Sequence, residues 1–358
     1  MTSAAEKMPE ESATSVPGAH KVRLEPSGRS FTVAAGERIL KCGLSSGVSM
    51  PYSCQMGHCG TCRGRVLEGK VDFGGAHLAY LPEAHREAGF ALLCQAKPLT
   101  DVVIEVEEVP LLVPPRVLPA IIKEVTRPSP DVAIVRIRLP VNDFVRFAAG
   151  QYVNVLLEGG VRRSYSIANA PETEGVIDLV FHIRHSPGGL FTDYVFQRIK
   201  ERDRWSIEVP LGTFFLREES DKPIIFLASG TGYGPIRSIL LNALRRNVRR
   251  PMVLYWGGRR HTDLYMIDEP RQWAVSHDHF KFIPVLSDAT ESDTWDGRTG
   301  FVHQAVMHDF PDLAGHQVYS CGAPVMVDAA RRDFSKKCGL PRSEFFADSF
   351  LTQHELAQ

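Results

Sequence analysis

The sequence predicts a multidomain chain in three parts: a small α+β unit, a closed antiparallel β-barrel and a parallel α/β sheet. Three observations carry that reading. The length of 358 residues exceeds the ~250 at which a single hydrophobic core stops growing. A composition of 44% hydrophobic and 23% charged residues is that of an ordinary globular protein able to build several cores. The patterning changes twice along the chain, from mixed strand and helix signals, through short strands punctuated by Gly, Pro and Asn, to apolar strands alternating with helical stretches.

The 41 basic and 42 acidic residues leave a formal charge of -1, so no global field favours nucleic acid or anionic lipid, and neither is expected as a partner. No run approaches the ~20 apolar residues that span a bilayer. The first twenty residues lack the apolar centre of a secretory signal. Residues 1–19, rich in Ser, Ala, Glu and Pro, read as a disordered tail, and the expected address is the cytoplasm. In that reducing setting the seven cysteines are not expected to pair as disulfides, and closely spaced ones point to metal.

The first unit opens with two short alternating strands in "HKVRLEPSGRSFTV", joined by a Pro-Ser-Gly turn. A helix-like "ERILKCGLSSG" ends at glycine, and the unit closes with the strand "DVVIEVEEV". Four prolines in "PLLVPPRVLP" then read as a stiff linker over 109–116. Between these elements "PYSCQMGHCGTCRG" places Cys54, Cys59 and Cys62 at spacings of four and two residues, and Cys94 follows in "ALLCQAKP". Two irons need four thiolates, and this spacing is the plant-type ferredoxin arrangement. Gly57 and Gly60 give such a loop the unusual dihedrals it needs to curl around a cluster, with N–H groups turned toward sulfur. Zinc is the competing chemistry, although structural zinc loops favour paired Cys-x2-Cys knuckles. His58 alone does not supply the two histidines of a Rieske centre and reads as an exposed loop residue. Cys42, on an amphipathic helix, and Cys338, near a helix end, read as buried small apolar residues.

On those four cysteines, residues 20–108 resemble a plant-type 2Fe-2S ferredoxin domain of β-grasp type. The segment carries ten basic and ten acidic residues, so no acidic docking face is written into its balance.

The barrel is read from "DVAIVRIRLP", "QYVNVLLEGG", "RRSYSIAN", "VIDLVFHIR" and "WSIEVP". On the third of these, Arg163 and Tyr165 share a face, a guanidinium for a diphosphate beside a ring for a flat heterocycle, while Ser166 offers a hydroxyl to a ring nitrogen. The alternative is a surface strand with a cross-strand Arg and Tyr. Upstream stand Gly150, Gln151 and Tyr152; downstream Gly188, Gly189 and Thr192 precede a helix, where bare N–H groups suit a pyrophosphate. Together these motifs, over residues 117–220, resemble the flavin barrel of the ferredoxin-NADP reductase superfamily. The resemblance implies FAD, with FMN the lesser alternative, bound by Arg163, Tyr165, Ser166, Ile167, Gly188, Gly189 and Thr192.

From residue 221 the strands "PIIFLAS", "PMVLYWG", "FKFIPVLS" and "HQVYSCG" alternate with helical patterns. After the first, Gly230, Thr231 and Gly232 lead through Tyr233, Gly234 and Pro235 into a helix, a turn that can set a helix N-terminus against a diphosphate or can be just a tight connection. It resembles the Gly-Thr-Gly-x-x-Pro turn of the same superfamily and implies a nicotinamide domain over 221–358. The resemblance puts Cys321 and Gly322 near the reactive nicotinamide carbon, and Phe350 over the flavin ring; Ser166, Cys321 and Phe350 are then the catalytic set. Cys321 reads equally as a buried thiol, and hydride transfer needs no nucleophile. Arg259 and Arg260 either bind a ribose phosphate or are solvated turn residues, which leaves NADPH open beside NADH. "LRRNVRR" reads as a solvated helix face, and Phe345 and Phe346 as core.

The whole order resembles the reductase components of bacterial aromatic-ring oxygenases and multicomponent monooxygenases, and equally the reductase of the dehydratase in CDP-linked 3,6-dideoxysugar formation. It implies an NAD(P)H-dependent oxidoreductase that passes electrons from NADH through FAD and a 2Fe-2S cluster to a separate oxygenase or dehydratase. A redox-sensing or scaffolding protein without rapid turnover is the rival from another class.

Overall fold

The computed structural model describes residues 18–110 and 113–350. The expected tail therefore lies almost entirely outside the described residues. Two compact units emerge, one from Met1–Met50 with Cys62–Glu108, the other from Pro51–Thr61 with Val109–Gln358. The barrel and the α/β sheet belong to one body, and the first part of the cysteine loop goes with it.

The smaller unit contains β1 (His20–Glu25), β2 (Ser30–Val33), α1 (Ile39–Ser45), β3 (Arg63–Glu68), β4 (Val71–Asp72), α2 (Glu83–Glu87), β5 (Phe90–Leu92), β6 (Lys97–Pro98) and β7 (Val102–Glu105). Its main sheet runs β2-β1-β7-β3-β5. The sheet is mixed, with β1 and β7 parallel and the hairpin β1–β2 antiparallel. Alternation decides the faces: Val22 and Leu24 point inward while Lys21 and Arg23 point out. Helix α1 covers that face with Ile39, Leu40 and Gly43. Glycine at position 43 lets the helix approach closely: a Cβ there would stand 2.4 Å from the Met50 methyl and 3.1 Å from the Phe31 ring, so the Met50 side chain would have to shift.

The larger unit begins with a barrel of six antiparallel strands, β8 (Arg116–Ser129), β9 (Val132–Arg138), β10 (Tyr152–Leu156), β11 (Arg162–Ser166), β12 (Asp178–Arg184) and β13 (Arg204–Leu211), with α3 (Leu190–Gln197) packed on it. The order is β11-β10-β13-β8-β9-β12. Strand β8 was not among the strands read from the sequence: its prolines 119 and 128 argue against a ladder strand. Two register shifts against β9 accommodate the irregularity. The edges β11 and β12 meet just past Ser166, where Ala168 N–H donates to Val180 O (2.8 Å) and the Asn169 amide bonds Asp178 O and Val180 N–H at 3.1 and 2.9 Å.

The second half is a parallel sheet of β14 (Ile224–Ser229), β15 (Met252–Gly258), β16 (Phe280–Leu286), β17 (Arg298–Thr299), β18 (Gln317–Gly322) and β19 (Phe345–Ser349), flanked by α4 (Tyr233–Arg245), α5 (Asp268–Ser276), α6 (Val302–Asp309) and α7 (Pro324–Lys337). Its order is β17-β16-β15-β14-β18-β19. Buried on both faces, β14 reads as a nearly unbroken apolar run, whereas the equally buried β18 carries Gln317 and Ser320 among its apolar residues. The "LRRNVRR" stretch departs from the expected solvated face. Helix α4 stops at Arg245, Asn247 turns with φ 56, and buried Arg250 donates to Lys222 O, Arg217 O and Gln317 Oε1 at 2.7, 2.9 and 2.7 Å. Phe345 and Phe346 are half-buried on the edge strand β19, and Phe346 stacks on Tyr319 at 4.8 Å. Among the described residues no helix is long and apolar enough to cross a membrane.

Candidate functional site

The cysteines fall into two pairs. In the loop of the larger unit, Gln55, Gly57 and Gly60 all take positive φ (56, 83 and 73), which winds the chain around Cys54 and Cys59. The two thiols share a hydrogen bond that pushes Cys54 up and pulls Cys59 down, because one proton serves both sulfurs. Backbone groups at Met56 and His58 hydrogen-bond Cys54, with Met56 N at 3.3 Å, and Thr61 bonds Cys59 with both its hydroxyl and its backbone. Such a donor set stabilises anionic sulfur. In the smaller unit, Leu93 N–H donates to Cys62 O at 2.9 Å, and Arg63 pairs with Leu92 across β3–β5, so Cys62, just before β3, and Cys94, just after β5, flank the paired ends of neighbouring strands. Among the described residues no three His, Cys, Asp or Glu side chains gather about one point. A two-iron cluster held by four cysteines does not ask for three around one ion, since each iron takes two. None of the seven cysteines is disulfide-bonded. Cys338 is buried as expected, whereas Cys42 is only partly so. His58 is half-buried, not exposed, with Nδ1 2.8 Å from Met56 O.

On β11 the alternation is as read: Arg163 and Tyr165 lie on the half-buried face, Arg162 and Ser164 on the exposed one. The Tyr165 ring stands 5.2 Å from Phe191, and burial raises its phenol above the ordinary range. The Arg163 guanidinium rests on the Arg162 carbonyl (2.8 Å). Ile167 is fully buried in the barrel core and its N–H goes to Gln151 O (2.9 Å), so neither its side chain nor its N–H is presented outward. Gln151 is likewise structural, donating to Gly212 O at 2.9 Å. Gly189 caps α3, with no side-chain cap, after Gly188 at φ 79. Thr192 closes that loop on itself through Ser186 O (2.8 Å).

The nicotinamide turn sits where strand order reverses. From β14 the chain winds outward to β17 on one side and to β19 on the other, and ligands of open α/β sheets bind at the carboxyl ends of strands at such a point. Both flanking loops are there: Gly230–Gly232 after β14 and Gly322–Ala323 after β18. They touch so closely that a Cβ on Gly232 would lie 2.2 Å from Cys321 O, and one on Gly322 2.2 Å from Ser229 Oγ. Burial, with Asp348 adding to it, raises the Cys321 thiol well above the thiol range and disfavours its thiolate. Half-buried Phe350 is tied to this loop by its N–H to Gly322 O (2.9 Å). The two arginines after β15 differ. Arg260 Nε is fastened to Asp293 at 2.8 Å, while Arg259 is exposed and its backbone N–H is bound by Asp263 (2.8 Å).

Sequence reading missed two residues here. Asp348, opposite Cys321 in the β18–β19 register, is buried, and burial pushes its carboxyl up to about 7 against hydrogen bonds from Ser53 and Ser166. Ser53 Oγ donates to it, and Tyr152 Oη donates to Ser53 O (2.8 Å). Arg184, at the end of β12, contacts Asp131 at 2.9 Å and Asp263; its Nη1 lies 2.8 Å from where a Gly230 Cβ would be. A carboxylate in a C-terminal strand carries no local motif; only register signals it.

Comparison with known proteins agrees with this geometry. Residues 22–99 match the 2Fe-2S iron-sulfur cluster binding domain, 119–216 the oxidoreductase FAD-binding domain and 226–332 the oxidoreductase NAD-binding domain. The chain is 38% identical to the CDP-6-deoxy-L-threo-D-glycero-4-hexulose-3-dehydrase reductase of Yersinia pseudotuberculosis, over 92% of this chain and 98% of that protein. It is 34% identical to reductase component 2 of terephthalate 1,2-dioxygenase from Comamonas, over 93% and 98%. Among solved structures, a cytochrome P450 reductase of Amycolatopsis superposes with a TM-score of 0.75 at 36% identity, covering 92% of this chain and 98% of that one. The chain thus belongs to the family of reductases that join 2Fe-2S, FAD-binding and NAD-binding domains, and it is an NAD(P)H-dependent flavin and iron-sulfur oxidoreductase.

Proposed function

We propose that this chain draws electrons from NADH at the β14/β18 switch point and delivers them through the cysteine loop to a separate protein. Residues 20–108 are the ferredoxin domain, 117–220 the FAD barrel and 221–358 the nicotinamide domain. Cys54, Cys59, Cys62 and Cys94 hold the cluster. Arg163, Tyr165, Ser166, Gly188 and Gly189 face the flavin; Gly230, Thr231, Gly232, Arg259 and Gly322 face the dinucleotide. When bound, nicotinamide supplies a hydride, flavin converts the pair into single electrons and the cluster takes them one at a time.

What this chain's residues contribute is placement. The observation that carries the reading is Asp348, whose buried carboxyl is reached by Ser53 of the cysteine loop and by Ser166 of the flavin strand, in register with Cys321 of the nicotinamide strand. Residues from all three motifs meet on one side chain. Exclusion of water from that junction favours direct transfer over loss to solvent. Arg260 is occupied by Asp293, Thr290 and Ser292, whereas the exposed side chain of Arg259 is available to a ribose phosphate, so NADPH stands beside NADH as a donor.

The acceptor is a terminal oxygenase component, a reading supported by the Comamonas relative, which is by name a reductase component of a dioxygenase. The second reading, a dehydratase of a deoxysugar, is favoured by the higher identity of the Yersinia relative. Mixing the reduced protein with a purified member of each acceptor class under nitrogen separates them, the true partner reoxidising it fastest. We place the protein in the cytoplasm on its unpaired use of cysteine. The entry and exit assignment is tested by Cys59→Ala, which should spare NADH-driven ferricyanide reduction and abolish reduction of cytochrome c. Equal loss of both activities refutes it, and purified protein lacking two irons with matching acid-labile sulfide refutes the cluster. Failure of NADH to bleach the protein would favour the sensor reading.

A further inference from the structure

Hydride transfer requires the reacting atoms to sit about 3 to 3.5 Å apart, yet the flavin motif and the nicotinamide turn lie on different sheets, and domains of one chain move relative to each other unless fastened. Helix α4 supplies a fastening. It starts at Tyr233, immediately after the Gly230–Gly232 turn. In its second turn Arg237 Nη1 donates to Ala168 O at 2.8 Å and Ser238 Oγ to Asn169 O at 2.7 Å. Those two carbonyls stand two and three residues past Ser166. Asn169 is in turn locked between Asp178 O and Val180 N–H of β12.

The arginine is itself held. Glu269, on α5, accepts from Arg237 Nε and Nη2, each at 2.6 Å, and from Tyr233 Oη at 2.9 Å. The side chains are only 16% and 23% exposed, so the forked pair is shielded from competing water. The planar guanidinium is thereby held in one orientation, and the nitrogen left over, Nη1, reaches the Ala168 carbonyl just past the flavin strand.

We propose that Arg237 and Ser238 are positioning residues that register the dinucleotide turn against the end of the flavin strand, with Glu269 as their anchor. This rests on the function proposed above and adds the part that sets its geometry. A helix whose first residues face one cofactor and whose second turn grips the backbone beside the other leaves little freedom for their separation to vary.

The test uses the full-length, FAD-loaded protein. Two variants are compared with wild type: Ser238→Ala, and the double variant Arg237→Met with Glu269→Leu, which removes both charges together and leaves none buried alone. Dissociation constants for NAD+ are measured by titration, and flavin reduction by NADH and by 4-deuterated NADH is followed in anaerobic stopped flow. The expected result is an NAD+ affinity within about 2-fold of wild type with hydride transfer slowed about 10- to 100-fold, since a misplacement of ~1 Å can cost that much. A folded double variant that transfers hydride at the wild-type rate overturns the proposal. So does a loss of NAD+ affinity that accounts for the whole change in rate, because that marks a binding role. If the double variant does not fold, Ser238→Ala and Arg237→Lys decide by the same two outcomes, lysine having no fork to serve Glu269 and Ala168 at once. A wild-type protein that binds no NAD+ sinks the functional reading and this inference with it, whereas slow variants beside a competent wild type bear on positioning alone.

Discussion

Replacing Gly232 by alanine tests the closeness of the two loops at the switch point. The glycine has ordinary helical dihedrals, φ -59 and ψ -14, so alanine meets no backbone strain and its effect is purely one of space. A Cβ there falls 2.2 Å from Cys321 O, 2.5 Å from Cys321 C and 2.7 Å from the Gly322 Cα. All three are backbone atoms of β18 and its exit loop, held by β14 and β19 on either side, so no side chain can swing away. Carbon contacts settle near ~3.5 Å, and the loops must part by roughly 1 Å. Overpacking of that kind costs about 1 to 3 kcal/mol, and displacement of the turn by ~1 Å is worth up to about 100-fold in hydride transfer. The assay is NADH-dependent ferricyanide reduction by FAD-loaded protein, paired with the melting temperature and the flavin content. Activity should fall far more than stability, with flavin retained. Wild-type activity in Gly232→Ala would refute the idea that this contact sets the dinucleotide turn, and loss of flavin would show that the barrel had been disturbed instead.

Burial holds the His182 imidazole down to about 3 against an ordinary 6.5, with Arg237 adding to the effect. The unfolded chain therefore binds the proton first, and stability is lost as pH falls below 6.5: about 1.4 kcal/mol between neutrality and pH 5.5. His182→Gln should flatten that slope in denaturant melts, and an unchanged slope would show that the histidine is not the cause. Thr61→Val removes a hydroxyl that bonds Cys59; a charge-assisted bond of about 1.5 kcal/mol corresponds to a drop of ~65 mV in a one-electron potential, read by spectroelectrochemistry, and a potential that holds or rises contradicts the donor role. Arg250→Met leaves the Lys222 and Arg217 carbonyls without this donor and Gln317 Oε1 with the Tyr319 hydroxyl, and should lower stability by about 3 kcal/mol while the NADH kinetics persist.

The cofactor motifs were readable because each is local. Cys54, Cys59 and Cys62 lie within nine residues, and the turns at Gly188–Gly189 and Gly230–Gly232 announce themselves through residue type alone. Strand β8 was not readable, since two prolines disguise it and its partners β9 and β13 supply the ladder. Arg250 looked like one more solvated cation until the backbone carbonyls of Lys222 and Arg217 closed around it. Of the two adjacent arginines 259 and 260, only the fold distinguishes the one bound by Asp293 from the one in water.

The cysteine spacing by itself determined the two-iron site, and the resemblance carried by the local motifs at 163–166, 188–192 and 230–235 implied the order of the domains and their FAD and nicotinamide cofactors, because ligand chemistry and glycine's dihedral freedom act within a few residues. Tertiary structure alone decided how those sites are joined. Ser53 and Asp348 are 295 positions apart, and Arg237 and Ala168 are 69 apart. No local preference specifies such pairs; they exist because strands of one sheet and helices packed on them bury polar groups that must then find partners.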